Sequence, residues 1–314
     1  MNNTKSKIEH YDGYFDIARE SSTLDFVTFW QQYIVTEQPC IIEKIGTSWR
    51  ASTRWTEAYL KKRLAQEPSA KAATLWYWME KDALNEDYIT PDIVNKTLAR
   101  HDIMPRTNVM RIWVHSQGNL SSWHYDGNMV SVFNVQITGS KTWVLVSPTT
   151  PLDCYPFTNF AILDGKGDHV LQNKRYTRFV LNEGDMLYLP PLWFHRVEAC
   201  AMENISLNWI FTKRVTQVTT DCFKRDYERY FMSEFFSKHQ SKLLRDIFHK
   251  VNRLLPNYLR LSWQYESLIQ TPYQVNLFNL LARVGKEVMM AFKVIPHVHK
   301  IKPYMNTVKP VQKI

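Results

Sequence analysis

The segment SSWHYDG, residues 121 to 127, sets His124 and Asp126 two positions apart among small, apolar and aromatic neighbours. Along a β-strand, positions i and i+2 point to the same face, so an imidazole and a carboxylate at that spacing converge on one point. Such convergence is what a divalent metal ion requires. An isolated H-x-D pair is a weak signal, because a strand can carry His and Asp by chance. It gains weight from LNEGDMLYLPPLWFHRVE, in which His195 follows about 70 residues later, behind a Gly-Asp turn, an apolar strand, two prolines and an aromatic pair. Two adjacent strands of a barrel can set His195 opposite His124 and Asp126. Two imidazoles and one carboxylate on one face, with coordination positions left open, form the facial triad of non-haem Fe(II) oxygenases.

The surrounding elements must bring those strands together. Residues 108 to 212 are a series of short β-rich runs, NVMRIWVH, SSWHYD, VSVFNVQIT, KTWVLVS, RFVLN, DMLYLP and ISLNWIFT, separated by turn chemistry such as Gly139-Ser140 and Glu183-Gly184-Asp185. Many short strands at this spacing predict a sandwich or barrel of the jelly-roll type. Upstream, Leu24, Phe26, Val27, Phe29 and Trp30 recur at helical spacing behind Ser22 or Thr23 as cap, and Cys40 to Ile42 reads as a short buried strand. TRWTEAYLKKRLAQ predicts a helix capped by Thr53, AATLWYWME a strand, and TPDIVNKTLARH a helix with Pro91 near its first turn. After 213 the alternation gives way to helical periodicity, with apolar stripes at 243 to 255 and 275 to 292. The chain therefore divides into a polar arm (1–21), a core (22–212) and a basic helical extension with a tail (213–314).

Composition agrees with a folded enzyme-sized chain. Its 314 residues are 45% hydrophobic, 14% aromatic and 22% charged, with only 9 Gly, which excludes a disordered or fibrous protein. Cys40, Cys154, Cys200 and Cys222 are scattered without a C-x-x-C pair, so neither a zinc knuckle nor a disulfide framework is expected, and a reducing cytoplasm fits. The N-terminus has no apolar h-region, and no stretch reaches the roughly 18 apolar residues of a spanning helix, so a soluble protein without a secretory address is expected. Residues 213–314 carry about 18 Lys/Arg against about 7 Asp/Glu, so the net charge of +9 resides in the extension. That excess is either a solvated helical face or a surface for an acidic partner.

Taken together, HYDG (124–127), NVQITGSKTWVLVSP (134–148), EGDMLYLPPLWFHRVE (183–198) and ISLNWIFT (205–212) resemble the cupin-like JmjC branch of the Fe(II)/2-oxoglutarate-dependent oxygenases. The likeness is to bacterial relatives of the asparaginyl hydroxylase that inhibits hypoxia-inducible factor, and it covers residues 22 to 212 in order and spacing. It implies a mainly β fold with flanking helices, a double-stranded β-helix (jelly-roll, cupin, JmjC-like) with a C-terminal helical extension. It further implies Fe(II) held by His124, Asp126 and His195, with 2-oxoglutarate and O2 as cosubstrates. Lys141 takes the place of the lysine that grips the distal carboxylate of 2-oxoglutarate, a role for which a buried cation is physically apt. Asn208 and Ser121 match residues beside the cosubstrate. An early-strand tyrosine is also implied, for which LWYWM offers Tyr77 or, with the register slipped by one, Trp76. Val132 falls where relatives carry an asparagine, and Asn128 or Asn134 is the expected substitute.

The resemblance implies oxidative decarboxylation of 2-oxoglutarate coupled to attack on a substrate C–H; the retained Asp126 argues against halogenation. Four readings follow: hydroxylation of a residue in a peptide or protein, an acidic one if the basic extension docks it; oxidation of a free amino acid or small natural-product intermediate; lysine demethylation; and a non-catalytic cupin-like binding protein. The helices after 213 are candidates for a homodimer, and a nucleic-acid partner is not expected. His297 and His299 also stand at i, i+2 but in a basic tail without a carboxylate, and His115 reads as a strand-end residue. Trp113, Trp123, Trp143, Trp193 and Trp209 read mainly as barrel core.

Overall fold

The computed structural model describes residues 11–64, 69–71, 74–80, 84–105, 109–127, 129–156, 158–162, 167–237, 240–243, 245–246, 249–250 and 269–294. Its strands are β1 (Ala18–Glu20), β2 (Cys40–Ile42), β3 (Ser69–Lys71), β4 (Thr74–Glu80), β5 (Ile103–Pro105), β6 (Val109–Ser116), β7 (Leu120–His124), β8 (Val130–Thr138), β9 (Lys141–Val146), β10 (Tyr176–Leu181), β11 (Met186–Leu189), β12 (Phe194–Ala199) and β13 (Glu203–Lys213). The helices are α1 (Phe26–Phe29), α2 (Ala51–Arg54), α3 (Glu57–Leu64), α4 (Asp92–Leu98), α5 (Asp221–Ser237) and α6 (Leu277–Val294).

Two sheets face each other in a jelly-roll. The larger runs β1-β2-β11-β8-β13-β6-β4-β3, with β5 also pairing β13, and the smaller runs β10-β9-β12-β7. Strand parity divides the side chains. On β8, Phe133, Val135 and Ile137 point outward and pack with Phe29, Trp49, Trp55, Leu60 and Val94 beneath the N-terminal helices. Val130 and Val132 point inward, meeting Trp143, Leu145, Phe179 and Val197 of the smaller sheet. Burial of each such side chain contributes roughly 1.5–3 kcal/mol. The outer face of the smaller sheet is covered by Cys222, Phe223 and Tyr227 of α5 and by Leu152 and Cys154. Beyond Val132, the inward row of β8 turns polar, with Asn134 and Gln136 both buried.

Two helix starts differ from the sequence reading. Asp25, rather than Ser22 or Thr23, caps α1, its Oδ1 accepting from Val27 N and Thr28 N at 3.0 Å each. A carboxylate is the stronger acceptor at a helix start, while the Ser21 and Thr23 hydroxyls hydrogen-bond each other. The helix expected to be capped by Thr53 is split by Trp55 in extended backbone, and Thr56 Oγ1 accepts from Tyr59 N at 3.1 Å at the start of α3. Most of the 243–255 stripe, together with Asn128, His297 and His299, lies outside the described residues. Among the described residues no helix is long and apolar enough to cross a membrane.

Candidate metal centre

β7 and β12 are neighbours in the smaller sheet, and His124 and His195 are direct cross-strand partners with ring centroids 4.2 Å apart. Asp126 follows just beyond β7, and one ligand atom from each of His124, Asp126 and His195 lies within 4.8 Å of the others. His195 is buried, and the other two are half-buried. Each imidazole is oriented in the same way, through a carbonyl two residues back: His124 Nδ1 meets Ser122 O at 2.6 Å, and His195 Nδ1 meets Trp193 O at 3.0 Å. A carbonyl only accepts, so Nδ1 carries the proton in both rings and the lone pair falls on Nε2, the form a metal ligand needs. Phe160 stacks on His124 at 5.6 Å, and the Asn159 amide holds the segment between the ligands, donating to Tyr125 O at 2.5 Å.

The pairing of β7 with β12 contains a bulge. His124 pairs with His195, but Ser121 pairs with Val197, so three steps on β7 span two on β12. The additional residue lets Ser121 and His124, an odd number of positions apart, both face the interior with His195 and Val197. The Ser122 O that orients His124 lies within this bulged stretch.

Further inside stands Lys141, launched from the Gly139-Ser140 turn. Gly139 has φ +75°, and a Cβ there would lie 2.4 Å from Glu203 O, so the turn requires glycine. Lys141 is buried and its Nζ donates to Ser206 Oγ at 2.9 Å. Burial lowers its pKa to about 7, and no carboxylate stands within ion-pair reach among the described residues. Asn134 and Asn208 are cross-strand partners whose side-chain amides hydrogen-bond to each other at 2.6 Å.

The pairing of β4 with β6 sets Tyr77 opposite Ile112, a residue of the outward core, and Trp76 opposite Trp113. LWYWM is aromatic on both parities, so its sequence does not decide the face.

Several interior residues escape the motif reading. On β6, Arg111, Trp113 and His115 share the inward face, registering with Asn208, Ser206 and Asn204 of β13. His115 is buried, stacks on Trp113 with planes 10° apart, and has its pKa lowered to about 2, first by burial and then by the Lys141 charge. Burial lowers the Arg111 pKa while the Asp126 carboxylate pulls it back up. The alternation R-I-W-V-H, polar or amphipathic at every second place, is the signal that could have found them. Among the described residues, buried His115 Nδ1, Gln136 Oε1 and Trp143 Nε1 have no hydrogen-bond partner in the protein. An interior holding a lone ammonium beside unsatisfied donors and acceptors is built for a polar, anionic guest. This chemistry fits a metal-chelating dicarboxylate.

A family model described as a cupin-like domain matches residues 70–217, a stretch that holds all three triad residues and Lys141. Jumonji C domain-containing protein 5 of Drosophila melanogaster is 26% identical over 191 residues, covering 53% of this chain and 46% of the fly protein. JmjC domain-containing protein D of Dictyostelium discoideum is 32% identical over 98 residues, covering 28% of this chain and 21% of that protein. The chain thus spans less than half the length of these curated relatives. The X-ray structure of E. coli ycfD aligns with 14% identity and a TM-score of 0.42, over 85% of this chain and 67% of that one. Over residues 70–217, where the triad and Lys141 lie, the chain is similar to cupin-like domains, and its jelly-roll is of that kind.

Proposed function

We propose that the protein is an Fe(II)/2-oxoglutarate-dependent oxygenase that hydroxylates a C–H of a residue in a peptide or protein. The observation that carries this reading is the convergence of His124, Asp126 and His195 in the same barrel interior that buries Lys141 without a carboxylate partner among the described residues. The resemblance to the asparaginyl hydroxylase group and the basic extension favour a peptide substrate, with acidic character, over a small molecule.

When bound, Fe(II) and 2-oxoglutarate would supply the activation of dioxygen and the decarboxylation that yields succinate, carbon dioxide and an oxidised substrate. His124 and His195 present Nε2 lone pairs in fixed orientation, and Asp126 adds a negative charge that favours a divalent ion over water at that point. Lys141 offsets the distal carboxylate, with Ser206 holding the ammonium in place. Ser121, Asn134 and Asn208 are the polar side chains assigned to the cosubstrate. Trp143, Leu145 and Val197 close the interior against bulk water. We assign residues 22–212 to the oxygenase core and 213–314 to an extension through which two copies pair along α6.

Anaerobic reconstitution with Fe(II) and 2-oxoglutarate, with wild type beside Asp126→Ala, tests the reading. A weak visible charge-transfer band, followed by slow succinate release when air is admitted, is expected in wild type alone. Succinate release stimulated by acidic peptides and not by free amino acids would support the peptide substrate; the reverse would favour a small molecule. No band and no succinate in folded wild type would remove the oxygenase reading.

A further inference from the structure

Tyr125, the residue between the two ligands of H-x-D, points away from them. Its side chain is fully buried on the outer face of the smaller sheet and packs edge-on against Phe194, the neighbour of His195, with centroids 5.0 Å apart. The phenol donates to Asp226 Oδ1 of α5 at 3.0 Å and accepts from Arg225 Nη1 at 3.2 Å and Arg229 Nη1 at 3.3 Å. A hydroxyl has one donor and two acceptor positions, and all three are engaged here.

These partners are tied further out. Arg225 makes a two-point ion pair with Glu287 of α6, at 2.8 and 3.1 Å, and also donates to Thr158 O at 2.9 Å. Arg229 pairs with Asp226 at 3.3 Å, and Arg283 of α6 donates to Glu228 of α5 at 2.5 Å. Thr158 adjoins Asn159, whose amide holds the Tyr125 carbonyl. The backbone that spaces His124 from Asp126 is thus fixed from outside by charges on α5 and α6. Buried charge networks of this kind are rigid when fully satisfied and lose that rigidity when one member is removed.

We propose that Tyr125 is a positioning residue whose phenol ties the metal-ligand segment to α5 and α6, so that the extension sets the affinity of the His124–Asp126–His195 centre. The proposal rests on the metal reading above. It assigns Asp226, Arg225 and Glu287 a role in the site although none of them faces the barrel interior.

The test is anaerobic calorimetric titration of the full chain with Co(II), together with the visible Co(II) spectrum and the unfolding midpoint of the metal-free protein, for wild type, Tyr125→Phe, Glu287→Gln and Asp126→Ala. Tyr125→Phe is expected to raise the Co(II) dissociation constant about tenfold and to change the ligand-field bands, and Glu287→Gln to act in the same direction by about threefold. A purely structural role would lower the unfolding midpoint while leaving the affinity and spectrum of the folded protein unchanged. Wild-type affinity in both Tyr125→Phe and Glu287→Gln, with binding lost in Asp126→Ala, would overturn the proposal and leave the metal site standing. No binding by wild type would overturn the metal reading itself. If Tyr125→Phe does not fold, Glu287→Gln, which keeps Tyr125 and its three partners, decides alone.

Discussion

His124 and His195 face each other across two hydrogen-bonded strands, and each ring is turned by the carbonyl two residues before it. The pair is held by backbone geometry, so the donor set exists before any ion arrives. Substitution of one member should therefore remove metal binding without disturbing the fold. Asp126→Ala and His195→Ala are expected to weaken Co(II) or Fe(II) binding by more than about 100-fold, beyond the loss typical of outer partners, with cooperative unfolding retained. Calorimetry and circular dichroism check this; unchanged affinity in either variant would contradict the assignment.

Lys141 makes an opposite pair of predictions for stability and binding. Its folded pKa, about 7, lies below the ordinary lysine value, so the unfolded chain holds the proton more tightly. Metal-free stability should rise as pH increases from about 7 towards 10.5 and carry the full cost of the buried ammonium below 7. Lys141→Met should stabilise the ligand-free protein at pH 6 by a few kcal/mol while abolishing 2-oxoglutarate binding. Denaturant titration and cosubstrate calorimetry on the same samples measure both.

His115 sets the acid limit. With its folded pKa lowered to about 2, it stays neutral in the fold while the unfolded chain takes up a proton below about 6.5. Its contribution should fall by up to about 1.4 kcal/mol per pH unit from about 6.5 down towards 2. His115→Gln should flatten that part of the profile, and an identical slope in the variant would show that other groups govern acid unfolding.

The α6 stripe carries Leu277, Phe278, Leu281, Met289 and Phe292, each 63–78% exposed. A solvent-facing row of this length is the kind that pairs with a second copy. Light scattering at micromolar concentration should give about twice the 37.2 kDa chain mass, reverting to a single chain in Leu281→Glu/Phe292→Glu. A single-chain mass for wild type would remove the homodimer.

The sheet core is legible in the sequence because alternation is local. VSVFNVQIT and KTWVLV become β8 and β9 almost residue for residue, their turn marked by the glycine at 139. The spacing of His124 and Asp126 is legible for the same reason. What alternation cannot show is a change of parity. Ser121 and His124 share a face only through the bulge, and LWYWM is aromatic on both sides, so its face is decided by pairing with β6. The Tyr125 network joins residues about 100 and 160 positions apart, and nothing in the local pattern near HYDG points to Arg225 or Glu287.

The bulge at β7 also bears on which changes the site can survive over evolutionary time. Side-chain substitutions between Ser121 and His124 leave the parity of the strand intact, since the orienting group is a main-chain carbonyl that any residue supplies. A one-residue deletion there would leave two steps on β7 against two on β12, a regular pairing that still keeps Ser121 and His124 on one face. Chains descended from this one should therefore vary freely in identity at position 122 and tolerate loss of the extra residue, whereas a change that shifts the register of His124 against His195 should not survive.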